Sequence, residues 1–155
     1  MRKDAVILVV ETNDGHYRII QKNLLRGGIT NEMLRFDSGA ELLKFLNLQS
    51  EGRVREDNME YLMLIDISHA EEDALDVLRT IKDDNELGRI PVIAFTDSNS
   101  PDQVIGLHKH GSSMCVQKPD EYEEFVDTIK KIGMFLSIVE MPVIKVTHNK
   151  EGVKK

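Results

Sequence analysis

Residues 61–68, Tyr-Leu-Met-Leu-Ile-Asp-Ile-Ser, form an apolar run interrupted by one carboxylate, Asp66. A run without alternation predicts a strand buried on both faces, as in a parallel sheet. Residues 5–10 predict another such strand, ending in Glu11-Thr12-Asn13-Asp14. From His16 to Arg26, the residues Tyr17, Ile20 and Leu24 share one helical face, and Gly27-Gly28 stops that helix. Residues 32–36 predict a short strand. Ser38-Gly-Ala-Glu41 then has the spacing of a capping box, and Leu42, Leu43 and Leu46 give the helix behind it an apolar face. Residues 49–58 are polar and read as a surface loop. Beyond Asp66, a helix turns Ala74, Leu78 and Ile81 toward the core. A strand follows over 90–95, with Pro91 near its start, where a missing N–H is tolerable. Ser100-Pro101 opens a short helix through about His108, and residues 114–116 form a short strand. Asp120-x-x-Glu123 caps a last helix in which Phe125, Ile129, Ile132, Leu136 and Val139 keep helical spacing. Residues 147–155 are polar and aperiodic.

Strand and helix thus alternate about five times along the chain, which predicts an α/β fold with helices on both faces of a parallel sheet. The expected architecture is a flavodoxin-like doubly wound (βα)5 sheet of strand order 2-1-3-4-5, with one domain over residues 1–146 and a flexible polar tail over 147–155. In that order the first and third strands end side by side, at the crevice where open α/β sheets bind ligands. Asp66 taken alone is better explained as a polar residue that merely ends a strand. Glu11 changes this, because two carboxylates facing across the crevice suit a hard divalent cation, magnesium.

Charge and cysteine usage narrow the function. A net charge of −7 argues against direct nucleic-acid binding. One cysteine excludes an internal disulfide and a cysteine-based zinc site. The apolar run near the N-terminus is too short for a signal peptide or a membrane span. A cytoplasmic protein without membrane contact is expected.

Four positions at predicted strand ends now stand in order: Glu11, Asp66, Thr96 after Phe95, and Lys118-Pro119 after Gln117. With them, the chain from residue 4 to about 140 resembles the receiver domain of a two-component response regulator. It is most similar to the single-domain type that partners bacterial phytochrome kinases. The segments Asp83-Asp-Asn-Glu-Leu-Gly-Arg-Ile-Pro-Val-Ile and Thr96-Asp-Ser-Asn-Ser-Pro resemble that family's entry into and exit from its fourth strand. The resemblance implies that Asp66 accepts a phosphoryl group from a sensor histidine kinase or a phosphotransfer protein, as a nucleophile. It implies Mg2+ held by Glu11, Asp66 and the backbone carbonyl of Ser68, with Lys118 supplying a second positive charge and the Thr96 hydroxyl moving in to bond the phosphoryl group. It also implies a cis peptide at Lys118-Pro119. Output would pass by docking to a downstream protein target; such a chain is not an enzyme.

Several positions depart from the family pattern. Thr12 stands where a second acid is usual, and as a neutral metal ligand it should weaken Mg2+ binding. Asp97 follows Thr96 where a small residue is usual, Cys115 replaces a switching aromatic, and Ala70 and Ala74 replace a proline and a glycine. These changes keep open an alternative, a pseudo-receiver that acts as a phosphorylation-independent interaction module. Two enzyme readings drop out. A haloacid-dehalogenase-type phosphatase needs an acid where Ser68 stands, and Glu11-Thr-Asn-Asp-Gly is too acidic for a flavin phosphate. His108 and His110, two apart on a helix, point to different sides. Cys115 between Met114 and Val116 reads as a small buried hydrophobe. The acids at 71–73 and 121–124 suit helix starts. Phe135 and Ile138 lack an evident internal partner, which predicts a homodimer through the last helix and the strand-like segment 142–146. The alternative is that this segment folds back over its own domain and covers those side chains.

Overall fold

The computed structural model describes residues 1–67, 71–96 and 114–146, with 106 and 109 as single helical positions and 71–73 by backbone alone. In chain order the elements are β1 (Val6–Val10), α1 (Asp14–Arg26), β2 (Met33–Phe36), α2 (Gly39–Leu46), β3 (Met59–Asp66), α3 (Glu71–Asp83), β4 (Val92–Thr96), β5 (Met114–Gln117), α4 (Tyr122–Leu136) and β6 (Val143–Ile144). A 3-10 turn at Leu87–Arg89 leads into β4. Strands β2-β1-β3-β4-β5 lie in that order and run parallel, as expected of a flavodoxin-like sheet.

The strands lack alternation because both of their faces are covered. Side chains alternate across a strand, so Val6, Leu8, Val10, Tyr61, Met63 and Ile65 meet Leu42, Phe45, Val77 and Ile81 from α2 and α3. On the opposite face Ile7, Val9, Leu62, Leu64, Ile93 and Phe95 meet Ile20, Leu24, Phe125, Ile129 and Leu136 from α1 and α4. Two apolar layers therefore clamp the sheet and fix where each strand ends. Helices α1 and α4 cross closely at a pair of glycines. A Cβ on Gly27 would lie 2.7 Å from the Lys130 carbonyl oxygen and 3.0 Å from the Cα of Gly133. Gly28, at φ +102°, then takes the left-handed turn after the helix.

Several expectations need correction. Helix α1 starts at Asp14, two residues early, because the Asn13 side chain accepts from the His16 amide and caps it. Asp120 does not cap α4. Glu121 occupies the cap position without a side-chain hydrogen bond, and the acids of the first turn are Glu123 and Glu124. That helix stops at Leu136, so Ile138 and Val139 lie beyond it. No cis peptide occurs among the described residues, so Lys118-Pro119 is trans.

The larger correction concerns residues 142–146. They fold back onto their own sheet, where β6 pairs antiparallel with the start of β3 through Met59↔Ile144 and Glu60↔Val143. Ile144 is fully buried in the α2/α3 layer. Around it, Lys145 N donates to Glu86 Oε2 at 2.7 Å and Val146 N to Asp57 Oδ1 at 2.7 Å. The loop expected over 49–58 is anchored here too. Arg55 is buried, and it donates to the carbonyls of Leu46 at 2.7 Å and Lys145 at 3.0 Å. The predicted helix over 100–108 lies outside the described residues apart from Gly106. So do Ser68, Ala70, Asp97, His108, His110 and the tail 147–155.

Candidate functional site

The strand register brings the expected residues together. Val10 is the partner of Ile65, so Glu11 and Asp66 are the next pair along β1 and β3. Asp66 in turn stands beside Phe95 of β4. Thr96 pairs with Gln117, which places Lys118 just past the end of β5, where its amide donates to the Thr96 carbonyl at 2.6 Å. Glu11, Asp66, Thr96 and Lys118 all sit at the carboxyl ends of neighbouring strands, the ligand-binding rim of such a sheet.

Lys118 ties the two acids to each other. Its Nζ lies 2.8 Å from Glu11 Oε1 and 2.7 Å from Asp66 Oδ2. The three side chains are 6%, 1% and 8% exposed respectively. Charge-assisted hydrogen bonds are strong in so dry a place, and an unpaired charge there would be costly. The ammonium also lies 5.5 Å above the Phe125 ring of α4. Glu11 is held further by the Asn13 amide, which donates to its Oε2 at 3.1 Å, and by Arg35 Nε, which donates to its carbonyl at 2.9 Å. Arg35 reaches this point from β2, pairs with Asp14 at 2.8 Å and covers the Tyr17 ring at 4.9 Å. Burial raises the Tyr17 hydroxyl above its ordinary pKa, partly opposed by Arg35. Thr12, the weak ligand expected, is exposed, and Thr96 is buried.

One residue of the site was missed. His16, in the first turn of α1, faces back over the strand ends. One ring nitrogen and one carboxylate oxygen each from Glu11 and Asp66 lie within 4.8 Å of one another. The imidazole packs edge-on against Phe125 at 5.6 Å between centroids. The sequence carried a signal for it. Asn13 is a strong N-cap residue, and the third residue after a cap is the position from which a side chain can reach back toward the cap.

Among the described residues no helix is long and apolar enough to cross a membrane. No protein-family model matches the chain. Response regulator Rcp1 of Synechocystis sp. is 28% identical over 138 residues, covering 88% of this chain and 92% of the relative. A solved Mn(2+)-bound form of Rcp1 superposes with a TM-score of 0.75 at 27% identity, covering 89% of this chain and 99% of that one. The polar-differentiation response regulator DivK of Brucella ovis is 30% identical over 124 residues, 80% of this chain and 92% of DivK. The phosphorylated cyanobacterial phytochrome response regulator RcpA superposes with a TM-score of 0.76 at 27% identity, covering 90% of this chain and 99% of RcpA.

Proposed function

Because the chain belongs to the receiver-domain family of two-component response regulators, we propose that it accepts a phosphoryl group on Asp66 from a histidine kinase or phosphotransfer protein. Receiver-domain response regulators of this type are signalling proteins and not enzymes. The observation that carries the proposal is the bridge from Lys118 to both Glu11 and Asp66 at the strand ends. Lys118 holds the Asp66 carboxylate by Oδ2 at 2.7 Å. An Asp66 oxygen attacks phosphorus, the P–N bond of the phosphohistidine breaks, and the electron pair returns to the imidazole. Charge on the transferring group is spread over its equatorial oxygens, so positioning and fixed positive charge do most of the work. Lys118 provides one such charge, and the Thr96 hydroxyl is the proposed donor to the acyl phosphate.

A divalent cation belongs to the same proposal. The donor set fits one: the carboxylates of Glu11 and Asp66 converge with the half-buried imidazole of His16. When bound, the cation would neutralise part of the phosphoryl charge. The Ser68 carbonyl remains a proposed ligand outside the described residues, and Thr12 a weak one. The receiver unit is proposed as residues 1–146, in the cytoplasm, where a kinase's phosphohistidine is reached without crossing a membrane. Output is proposed through docking to a protein target and a homodimer contact. The contact is supported by exposed Met134, Phe135 and Ile138 at the end of α4.

Intact mass measurement after incubation with a small-molecule phosphodonor and a divalent cation tests this reading. A one-phosphate increase is expected in the wild type and none in Asp66→Asn. Absence of the adduct under every donor and metal condition would sink the phosphoacceptor and promote the pseudo-receiver.

A further inference from the structure

His16 takes no part in the phosphoryl-transfer step itself, yet its ring is built into the site. Nδ1 of His16 is the one buried side-chain polar atom without a hydrogen-bond partner among the described residues. Leaving such an atom unsatisfied is costly, and native proteins rarely do so without a functional cause. The surrounding groups make the omission specific. Phe125 packs against the ring and gives it no polar contact. Lys118, the nearby cation, is engaged with Glu11 Oε1 and Asp66 Oδ2. A ring nitrogen, a Glu11 oxygen and an Asp66 oxygen nevertheless converge within 4.8 Å, a span that one ion can fill.

We propose that His16 is a nitrogen ligand to the divalent cation at this site, and that the site therefore selects a borderline transition-metal dication such as Zn2+ or Co2+ over Mg2+. The inference rests on the receiver reading for the location of the cation and goes beyond it in naming the ligand and the metal class. Magnesium demands hard oxygen ligands in near-ideal octahedral geometry and keeps several waters. Among the described residues the site offers two carboxylates already shared with a lysine, an exposed threonine hydroxyl, and an imidazole. Imidazole suits zinc, copper, iron and nickel, and affinity of a mixed N/O site rises along the first row toward copper. The nitrogen compensates for the carboxylate absent at position 12, and it does so only for metals that accept nitrogen.

Metal titration of the full chain, without any phosphodonor, tests the inference directly. Mg2+, Co2+ and Zn2+ would be compared by calorimetry, with the His16 ring nitrogens followed by 15N NMR on adding Zn2+. The expected result is a Zn2+ affinity at least tenfold above that for Mg2+, on the order expected for one ligand change, together with a large shift of the His16 nitrogens. His16→Phe keeps the aromatic packing on Phe125 and removes the ligand. It should lower Zn2+ and Co2+ affinity roughly tenfold or more and leave Mg2+ affinity nearly unchanged. His16→Asp should reverse the preference toward Mg2+. Unchanged Zn2+ affinity in His16→Phe, or Zn2+ binding without a shift at His16, would overturn the proposal. Zinc binding through His16 in a protein that forms no phosphoryl adduct supports this inference and sinks only the phosphoacceptor reading.

Discussion

Replacing Lys118 by methionine would keep the buried stem and leave Glu11 and Asp66 facing each other without a cation. Breaking a buried ion pair from one side costs about 3–5 kcal/mol, because the remaining charge stays dry and uncompensated. The variant should unfold at markedly lower denaturant in the presence of a chelator and recover part of the loss when a divalent cation is added. Equal stability of the two proteins in chelator would mean that the lysine compensates nothing. Of the residues in this site, Glu11 and Asp66 were legible because each ends or follows an apolar run and strand ends of a parallel sheet converge, whereas Thr96 and Lys118 were singled out through the resemblance to the receiver family. His16 was missed because helical periodicity describes the face that packs on the sheet and says nothing about the first turn, which only the Asn13 cap marks. Arg55 was equally hidden. A charged residue in a polar loop gives no hint that its guanidinium will be buried against the carbonyls of Leu46 and Lys145.

At the level of elements, the packing of α1 on α4 depends on having no side chain at Gly27. Alanine there would push a methyl against the backbone of Lys130 and Gly133, neither of which can turn aside. Overpacking of this kind costs about 1–3 kcal/mol. Gly27→Ala should therefore lower the thermal midpoint while the mass adduct at Asp66 still forms. A midpoint equal to that of the wild type would show that the two helices separate at little cost. Strand order and most helix spans were readable, since continuous apolar runs and a 3.6-residue period have different lengths and punctuation. The cap of α4 was misplaced by one residue because Asp120 and Glu121 are both acidic and only backbone geometry separates them. The segment of β6 was read as strand-like, but a two-residue strand carries no period that could say whether it pairs with its own sheet or with a second copy.

The whole molecule presents two faces with different tasks. The rim with Asp66 lies at the carboxyl ends of the strands, while the patch of Met134, Phe135 and Ile138 lies at the end of α4. Met134 and Ile138 are 61% and 79% exposed, so association through this patch would cover them. Ile138→Glu, placed where no internal contact is lost, should leave folding intact and shift sedimentation toward the monomer at every concentration. If the wild type is already monomeric at all accessible concentrations, the homodimer is removed from this account. The pattern of apolar residues pointed to this patch but misjudged its extent, because Pro142 to Val146 carries the same composition whether it meets a second copy or its own sheet.

Strand β3 is longer than its parallel neighbours. Its pairing with β1 begins at Tyr61 and its pairing with β4 at Met63, so Met59 and Glu60 project past both. Their ladder is completed by β6 alone. An uncovered strand edge is a template that will accept any extended chain, including the same segment of another molecule. Cutting the chain after Glu140 would remove β6 and, with it, buried Met141 and Ile144. The shortened protein should scatter light and sediment as larger, heterogeneous species, although the exposed α4 patch is untouched. Deletion would then report aggregation where an experimenter was looking for the loss of a dimer. A shortened protein that stayed monomeric would show instead that the projecting backbone is harmless without its cover.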